Sequence, residues 1–179
     1  MNYKNLYVIL SFNKFAKKKV NKFLFTIIFI GIVGCKINGQ KEIVSKKYII
    51  EKSDELWKKE LPNLSYYVLR KAYTEPAFTG KYDNFYEKGY YVCRACDSKL
   101  YDSKNKYDSG SGWPSFDRGN DINLEYSVDY KIGYPRVELK CNKCGSHLGH
   151  MFEDGPKNTT GKRHCINSAA LKFIEIKSN

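Results

Sequence analysis

Six cysteines carry most of the chemistry open to this 179-residue chain, and their spacing sorts them into three kinds. Cys93-Arg-Ala-Cys96 and Cys141-Asn-Lys-Cys144 are two Cys-x-x-Cys knuckles. Each places two thiols on one tight turn, and two such turns brought together supply a tetrahedral sulfur site for zinc. Gly145, directly after the second pair, can take the positive φ that helps such a turn close. Two disulfides, or two redox motifs of thioredoxin type, are the alternatives; the doubled knuckle favours metal. Four thiolates leave no open position, so the site is structural. Forty-four residues separate Cys96 from Cys141, more than the ~15–20 of a compact zinc ribbon. That stretch must therefore carry structure of its own.

Cys165 stands alone in Gly161-Lys-Arg-His-Cys165-Ile-Asn-Ser168. An unpaired cysteine is ordinarily a small buried hydrophobe. Its neighbours argue for more. Arg163 and His164 both favour the thiolate, which is the attacking form, and polar Asn167 and Ser168 are odd company for a core residue. His147-Leu-Gly-His150 follows the second knuckle, with Asp154 four residues further on. Two histidines left over from a complete metal site suit hydrogen bonding or proton transfer near neutral pH, with the aspartate holding one imidazole in its tautomer. A satisfied surface pair is the alternative. Trp113, in Asp108-Ser-Gly-Ser-Gly-Trp-Pro-Ser-Phe116, is either a core residue on a turn or one wall of an apolar pocket.

Taken in order, Cys93-x-x-Cys96, Ser109-Gly-Ser-Gly-Trp-Pro-Ser-Phe116, Cys141-x-x-Cys144-Gly-x-His-Leu-Gly-His150, Asp154-Gly-Pro156 and Arg163-His-Cys-Ile-Asn-Ser168 closely resemble the methionine-R-sulfoxide reductases of the B type. Thr74-Glu-Pro-Ala-Phe-Thr-Gly-Lys-Tyr82 resembles that family's entry segment, and the likeness runs from about residue 53 to 175. The resemblance implies a mainly β fold, two antiparallel sheets in a distorted barrel with short N-terminal helices, and a four-cysteine zinc site away from the chemistry. It implies that Cys165 attacks the sulfoxide sulfur of an oxidised methionine and ends as a sulfenic acid. In the same reading His147 and His150 assist the departing oxygen, with Asp154 as orienter, and Arg163 lowers the Cys165 pKa. Trp113 packs the substrate methyl group and Asn167 lines the site. Many relatives carry a resolving cysteine where this chain has Ser111. With Cys93, Cys96, Cys141 and Cys144 committed to metal, only Cys35 could replace it; with Cys35 lipidated or removed with the leader, an external thiol or a thioredoxin-like reductase is expected to restore Cys165. Oxidised proteins or peptides are the implied substrates, a monomer is expected, and no organic cofactor is needed.

The elements that must position these residues are partly legible. Aromatics make up 15% of the chain and glycines number 13, which suits a turn-rich β domain better than a helical bundle. Ser53 is placed to cap a short helix through Trp57, and Pro62 ends that segment. Leu64, Tyr67, Val68 and Lys71 then fall at helical spacing and suggest a second helix with one buried stripe. From Gly89 the period changes. Gly89–Cys93, Leu139–Cys141 and Leu171–Ile176 read as strands separated by turn residues.

The net charge of +12 suggests a nucleic-acid partner until its distribution is followed. Six of those charges are lysines within the first 34 residues, a stretch without Asp or Glu, so half of the basicity belongs to a leader. A lysine-rich start and the apolar run Phe23–Val33 have the proportions of a signal peptide, too short to span a membrane. Ile32-Val-Gly-Cys35 resembles a bacterial lipobox, with Cys35 as lipid attachment site and ordinary cleavage near Gln40 as the rival. The expected organisation is a leader over 1–34, a polar tether over 35–52 and a reductase domain over 53–179. The expected address is outside the cytoplasm, periplasmic or lipid-anchored, and cytoplasmic if the leader is not a signal. Nucleic acid is not an expected partner. A binding module on the same fold is the remaining rival, and it would have no use for Cys165 beside Arg163.

Overall fold

The computed structural model of the chain describes residues 46–177. The leader, Cys35 and the tether up to residue 45 lie outside the described residues. Among the described residues no helix is long and apolar enough to cross a membrane.

Two short helices come first, α1 (Asp54–Glu60) and α2 (Asn63–Lys71). The Ser53 hydroxyl accepts the Leu56 amide and caps α1, whose first turn is acidic and whose last turn is basic. Pro62 then starts α2. The buried face of α2 differs from the expected stripe: Ser65, Tyr66, Val68 and Leu69 are buried, while Leu64 and Tyr67 remain 45% and 44% exposed. Tyr66 wins its place because its hydroxyl can be satisfied while its ring packs inward, donating to Asp54 Oδ2 at 2.7 Å.

Among the described residues, nine strands follow in two antiparallel sheets, as expected of the mainly β fold. The smaller sheet has the order β2 (Lys99–Asp102), β1 (Gly89–Cys93), β9 (Leu171–Glu175). The larger has the order β3 (Lys106–Tyr107), β4 (Ser115–Phe116), β8 (Arg163–Ile166), β7 (His147–Phe152), β6 (Arg136–Cys141), β5 (Leu124–Asp129). The core includes Tyr91, Tyr101, Phe116, Leu139, Leu148, Ile166 and Leu171, all fully buried. Tyr101 stacks on Phe116 with ring centroids 4.2 Å apart.

Two features of the larger sheet position the site. The first is register. Tyr107 pairs with Ser115, Ser115 with Cys165, Cys165 with His150, His150 with Glu138, and Glu138 with Ser127. Directly paired residues share a face, so these six form one row across all six strands. The second is a bulge. Leu139 faces Gly149 and Lys140 faces His147, which leaves Leu148 as an extra residue in β7. In a regular strand, side chains three apart point to opposite faces. The bulge resets that parity and brings His147 to the face of His150. Gly149 sits inside this stretch because β8 passes close by: a Cβ there would collide with the Cys165 carbonyl oxygen.

Within the stretch expected as the end of the tether, Lys46, Tyr48 and Ile50 lie against the second knuckle. Lys46 Nζ reaches Glu125 and Asn142, both at 2.7 Å, and the Ile50 amide donates to the Lys143 carbonyl at 2.9 Å.

Candidate active site

The two knuckles have the same build. In the first, Asp97 N donates to Cys93 O at 2.9 Å and Cys93 N to Ser98 O at 2.8 Å. In the second, Gly145 N donates to Cys141 O and Cys141 N to Ser146 O, both at 2.8 Å. Gly145 has φ 69° and Asp97 the matching φ 58°, so the positive-φ position expected for the second turn exists in both. The four sulfurs lie within 4.8 Å of one another. Cys93–Cys144 is 3.8 Å and Cys96–Cys141 is 3.5 Å. Sulfurs around tetrahedral zinc at about 2.3 Å stand roughly 3.8 Å apart, so the residues fit the ion. All four are free thiols, and contact with Cys141, more than any other influence, raises the Cys93 pKa well above normal. Four neighbouring thiols, three of them buried, cannot ionise together without a cation, and a divalent metal removes that conflict.

Cys165 lies on the larger sheet, in a cavity of about 130 Å³ walled by Thr74, Trp113, Arg136, Gly149, His150, Phe152 and Asn167. None of the four knuckle cysteines lines it. Trp113 is therefore a pocket wall as well as a packed residue. Its indole nitrogen donates to the Glu75 carbonyl at 3.0 Å, fixing the ring. The entry segment is clamped from beneath. Glu75, 2% exposed, accepts the amides of Ser168 and Ala169 at 2.5 and 2.9 Å, though burial still raises its pKa. Asn167 does more than line the cavity. Its Nδ2 donates to the Leu148 carbonyl at the bulge, and its Oδ1 accepts the Glu75 amide at 2.9 Å.

Three site expectations change. Asp154 orients neither histidine. Both of its oxygens take the guanidinium of Arg163, each at 2.8 Å, in a bidentate pair. His164 does not favour the thiolate, because strand alternation turns it to the face opposite Cys165. There it is 2% exposed against Tyr101, and burial pushes its pKa down to about 4, so it is neutral. Cys165 itself is raised rather than lowered. Burial pushes the thiol up, against the Arg163 cation and the Ser111 hydroxyl, which both favour the thiolate.

The orienters of the histidines are residues that the spacing did not disclose. Glu138 Oε1 meets His147 Nδ1 at 2.6 Å, and Asp129 Oδ2 meets His150 Nε2 at 2.8 Å. Asp129 also takes Arg136 Nη2 at 2.5 Å and the Lys131 amide at 2.7 Å; that amide, His150 and Arg136 hold its carboxyl well below the usual range. Burial opposes Glu138, yet His147 and Lys140 bring it down to about 2. Both carboxylates are ionised at neutral pH, so each fixes its imidazole with the N–H toward the carboxylate. Burial lowers the His150 pKa, with Asp129 pulling the other way. A neutral His150 with its other nitrogen free to accept thus faces a protonated Cys165. A proton can move from sulfur to imidazole and on to an oxygen held in the cavity. The one available signal was Arg136 and Glu138 two apart in a strand, which share a face only once that strand is known.

Comparison with known proteins agrees with this geometry. Residues 61–175 match the SelR domain. Peptide methionine sulfoxide reductase MsrB of Leptospira interrogans is 52% identical over 127 residues, 70% of this chain and 96% of that protein. The MsrB proteins of Burkholderia multivorans and Burkholderia pseudomallei are 47% and 46% identical, each over 90% of its length and 72% and 71% of this chain. Over that matched region, which holds Cys165, the paired imidazoles and the four-cysteine cluster, the chain belongs to the SelR-domain family of peptide methionine sulfoxide reductases MsrB.

Proposed function

We propose that this chain reduces the R epimer of methionine sulfoxide in oxidised proteins or peptides, with Cys165 as nucleophile and His150 as proton carrier. The observation that carries this reading is the direct pairing of Cys165 with His150 at the wall of one small cavity. As the Cys165 sulfur attacks the sulfoxide sulfur, its proton passes to His150 and then to the oxygen. The oxygen moves to the cysteine. Methionine leaves, reduced by two electrons, and Cys165 is left as a sulfenic acid. Trp113 and Phe152 offer apolar surface to the substrate methyl group. Choice of the R epimer rests on the family resemblance.

The sulfenic acid is restored from outside. Ser111 stands at the resolving position, and no other described cysteine outside the metal cage is available. A first thiol displaces water and forms a mixed disulfide; a second releases Cys165 and leaves an external disulfide. A thioredoxin-like dithiol supplies both. The knuckles hold zinc as a structural ion. We also propose that the leader exports the protein and that Cys35 is its lipid anchor, which palmitate labelling of the expressed protein tests.

Single turnover tests the cycle. Mature protein given substrate without reductant should release one methionine per chain and carry a sulfenic acid on Cys165, trapped by a dimedone-type reagent. A Cys165 disulfide within the chain would contradict it.

A further inference from the structure

Arg136 is the cation in the wall of the Cys165 cavity, and no step of the proton path through His150 uses it. Its place follows from register. Arg136 stands two residues before Glu138 in β6, so it shares the face on which Glu138, His150 and Cys165 form a row. Asp129, its cross-strand partner in β5, takes Nη2 at 2.5 Å and anchors the guanidinium there. The side chain is 17% exposed, and its Nε is buried without a hydrogen-bond partner. A guanidinium carries five N–H donors, and among the described residues Asp129 is the acceptor that engages them. Arg163, on the same face of β8, is committed elsewhere. Asp154 takes its guanidinium, which lies 4.5 Å over the Phe152 ring, and it is not part of the cavity wall.

The rest of the wall is short of donors for a sulfoxide oxygen. The Trp113 N–H goes to the Glu75 carbonyl. Asn167 is engaged at both ends, Nδ2 on the Leu148 carbonyl and Oδ1 on the Glu75 amide. His150 directs its N–H to Asp129 and offers the cavity an acceptor. Thr74 is exposed and uncharged.

We propose that Arg136 binds the sulfoxide oxygen and thereby selects the sulfoxide over its thioether product. The oxygen of a sulfoxide carries partial negative charge and accepts strongly, whereas a thioether sulfur accepts weakly. A wall that holds an N–H for the first is left unpaired by the second, so product binds less well than substrate. As the Cys165 sulfur attacks, charge collects on the oxygen, and Arg136 steadies it until the Cys165 proton arrives through His150. The bond from methionine sulfur to oxygen then breaks and the oxygen stays with Cys165. Methionine is reduced by two electrons and the cysteine oxidised by two. Asp129 thus holds the oxygen donor and the proton carrier together.

This rests on the reductase reading, and the test separates the two. The zinc-loaded full chain carrying Cys165→Ser, which cannot turn over, is titrated with a blocked R-methionine sulfoxide and with the matching blocked methionine. Calorimetry gives both affinities, and turnover of the sulfoxide is measured alongside with Cys165 in place. Arg136→Met should weaken sulfoxide binding by about 10- to 100-fold, the scale of a hydrogen bond to a charged group, and leave thioether binding unchanged. Arg136→Lys should recover part of the loss. Adding Asp129→Asn to Arg136→Met removes the unpaired carboxylate, and the discrimination should stay lost. Unchanged sulfoxide affinity in Arg136→Met overturns the proposal. So does an equal loss for both ligands, at unchanged zinc content and melting temperature, because the damage would then be general. Sulfoxide binding that depends on Arg136 in a chain without turnover would sink the reductase reading and leave the oxygen site standing.

Discussion

His150 and Cys165 are direct cross-strand partners, β7 against β8, and the next strand places Glu138 opposite His150. The placement of Cys165 beside His150 is thus set by sheet register rather than by loops. Loops contribute the Trp113 wall, and the polar groups that aim the imidazoles come from β5 and β6.

Asp129 is the residue whose removal should be most informative. It holds His150 Nε2 and Arg136 together, so Asp129→Asn should lower kcat by roughly 10- to 100-fold while the fold persists. Because Asp129 raises the His150 pKa against burial, the variant's His150 should titrate at lower pH. Resolving that shift by histidine NMR distinguishes lost orientation from general damage. An unshifted resonance would contradict the assignment.

Asn167 pins the bulge and the entry segment at once. Asn167→Ala leaves the buried Glu75 amide without its acceptor, a cost of about 1–3 kcal/mol. Denaturant melts should show that loss, and turnover should fall further because His147 and His150 share a face only through the bulge.

His164 makes stability depend on pH. Its pKa is about 4 in the folded chain and ~6.5 unfolded. Between those values the unfolded chain binds the proton and the folded chain does not. Stability therefore falls as pH drops from 6.5 to 4, by about 3 kcal/mol, and this contribution levels off below. In His164→Phe the stability curve measured by chemical denaturation should flatten across that window, though the Tyr101 contact is lost.

Much of this is legible in the chain itself. Ser53 acts as the cap of α1, Gly89–Cys93 is a strand, and the four knuckle cysteines converge. These are local features, governed by caps, alternation and turn chemistry. What escapes the sequence is what depends on register. Asp129 and Glu138 reach the histidines from strands whose pairing no spacing reveals, and Leu148 gives no sign that it bulges. Asp154, close in sequence to His150, finds a better bidentate partner in Arg163. The raised Cys165 pKa escapes as well, because neighbours in sequence are not always neighbours in space; alternation removes His164, and burial outweighs Arg163.

The metal cage should be indispensable to the fold. One zinc per chain is expected by metal analysis, and chelation or Cys141→Ser should abolish cooperative thermal unfolding. Four clustered thiolates, three of them buried, have no means of sharing their charge other than one ion. A chelated chain that melts like the loaded one would remove zinc from the account.

The central claim is tested most directly by presenting separated R and S epimers of a methionine sulfoxide derivative, with dithiothreitol, to wild type and Cys165→Ser. Consumption of the R epimer alone, by wild type alone, with the mutant still folded and zinc-loaded, is the predicted result. Reduction by Cys165→Ser, or a folded, zinc-loaded wild type that reduces neither epimer, would contradict it.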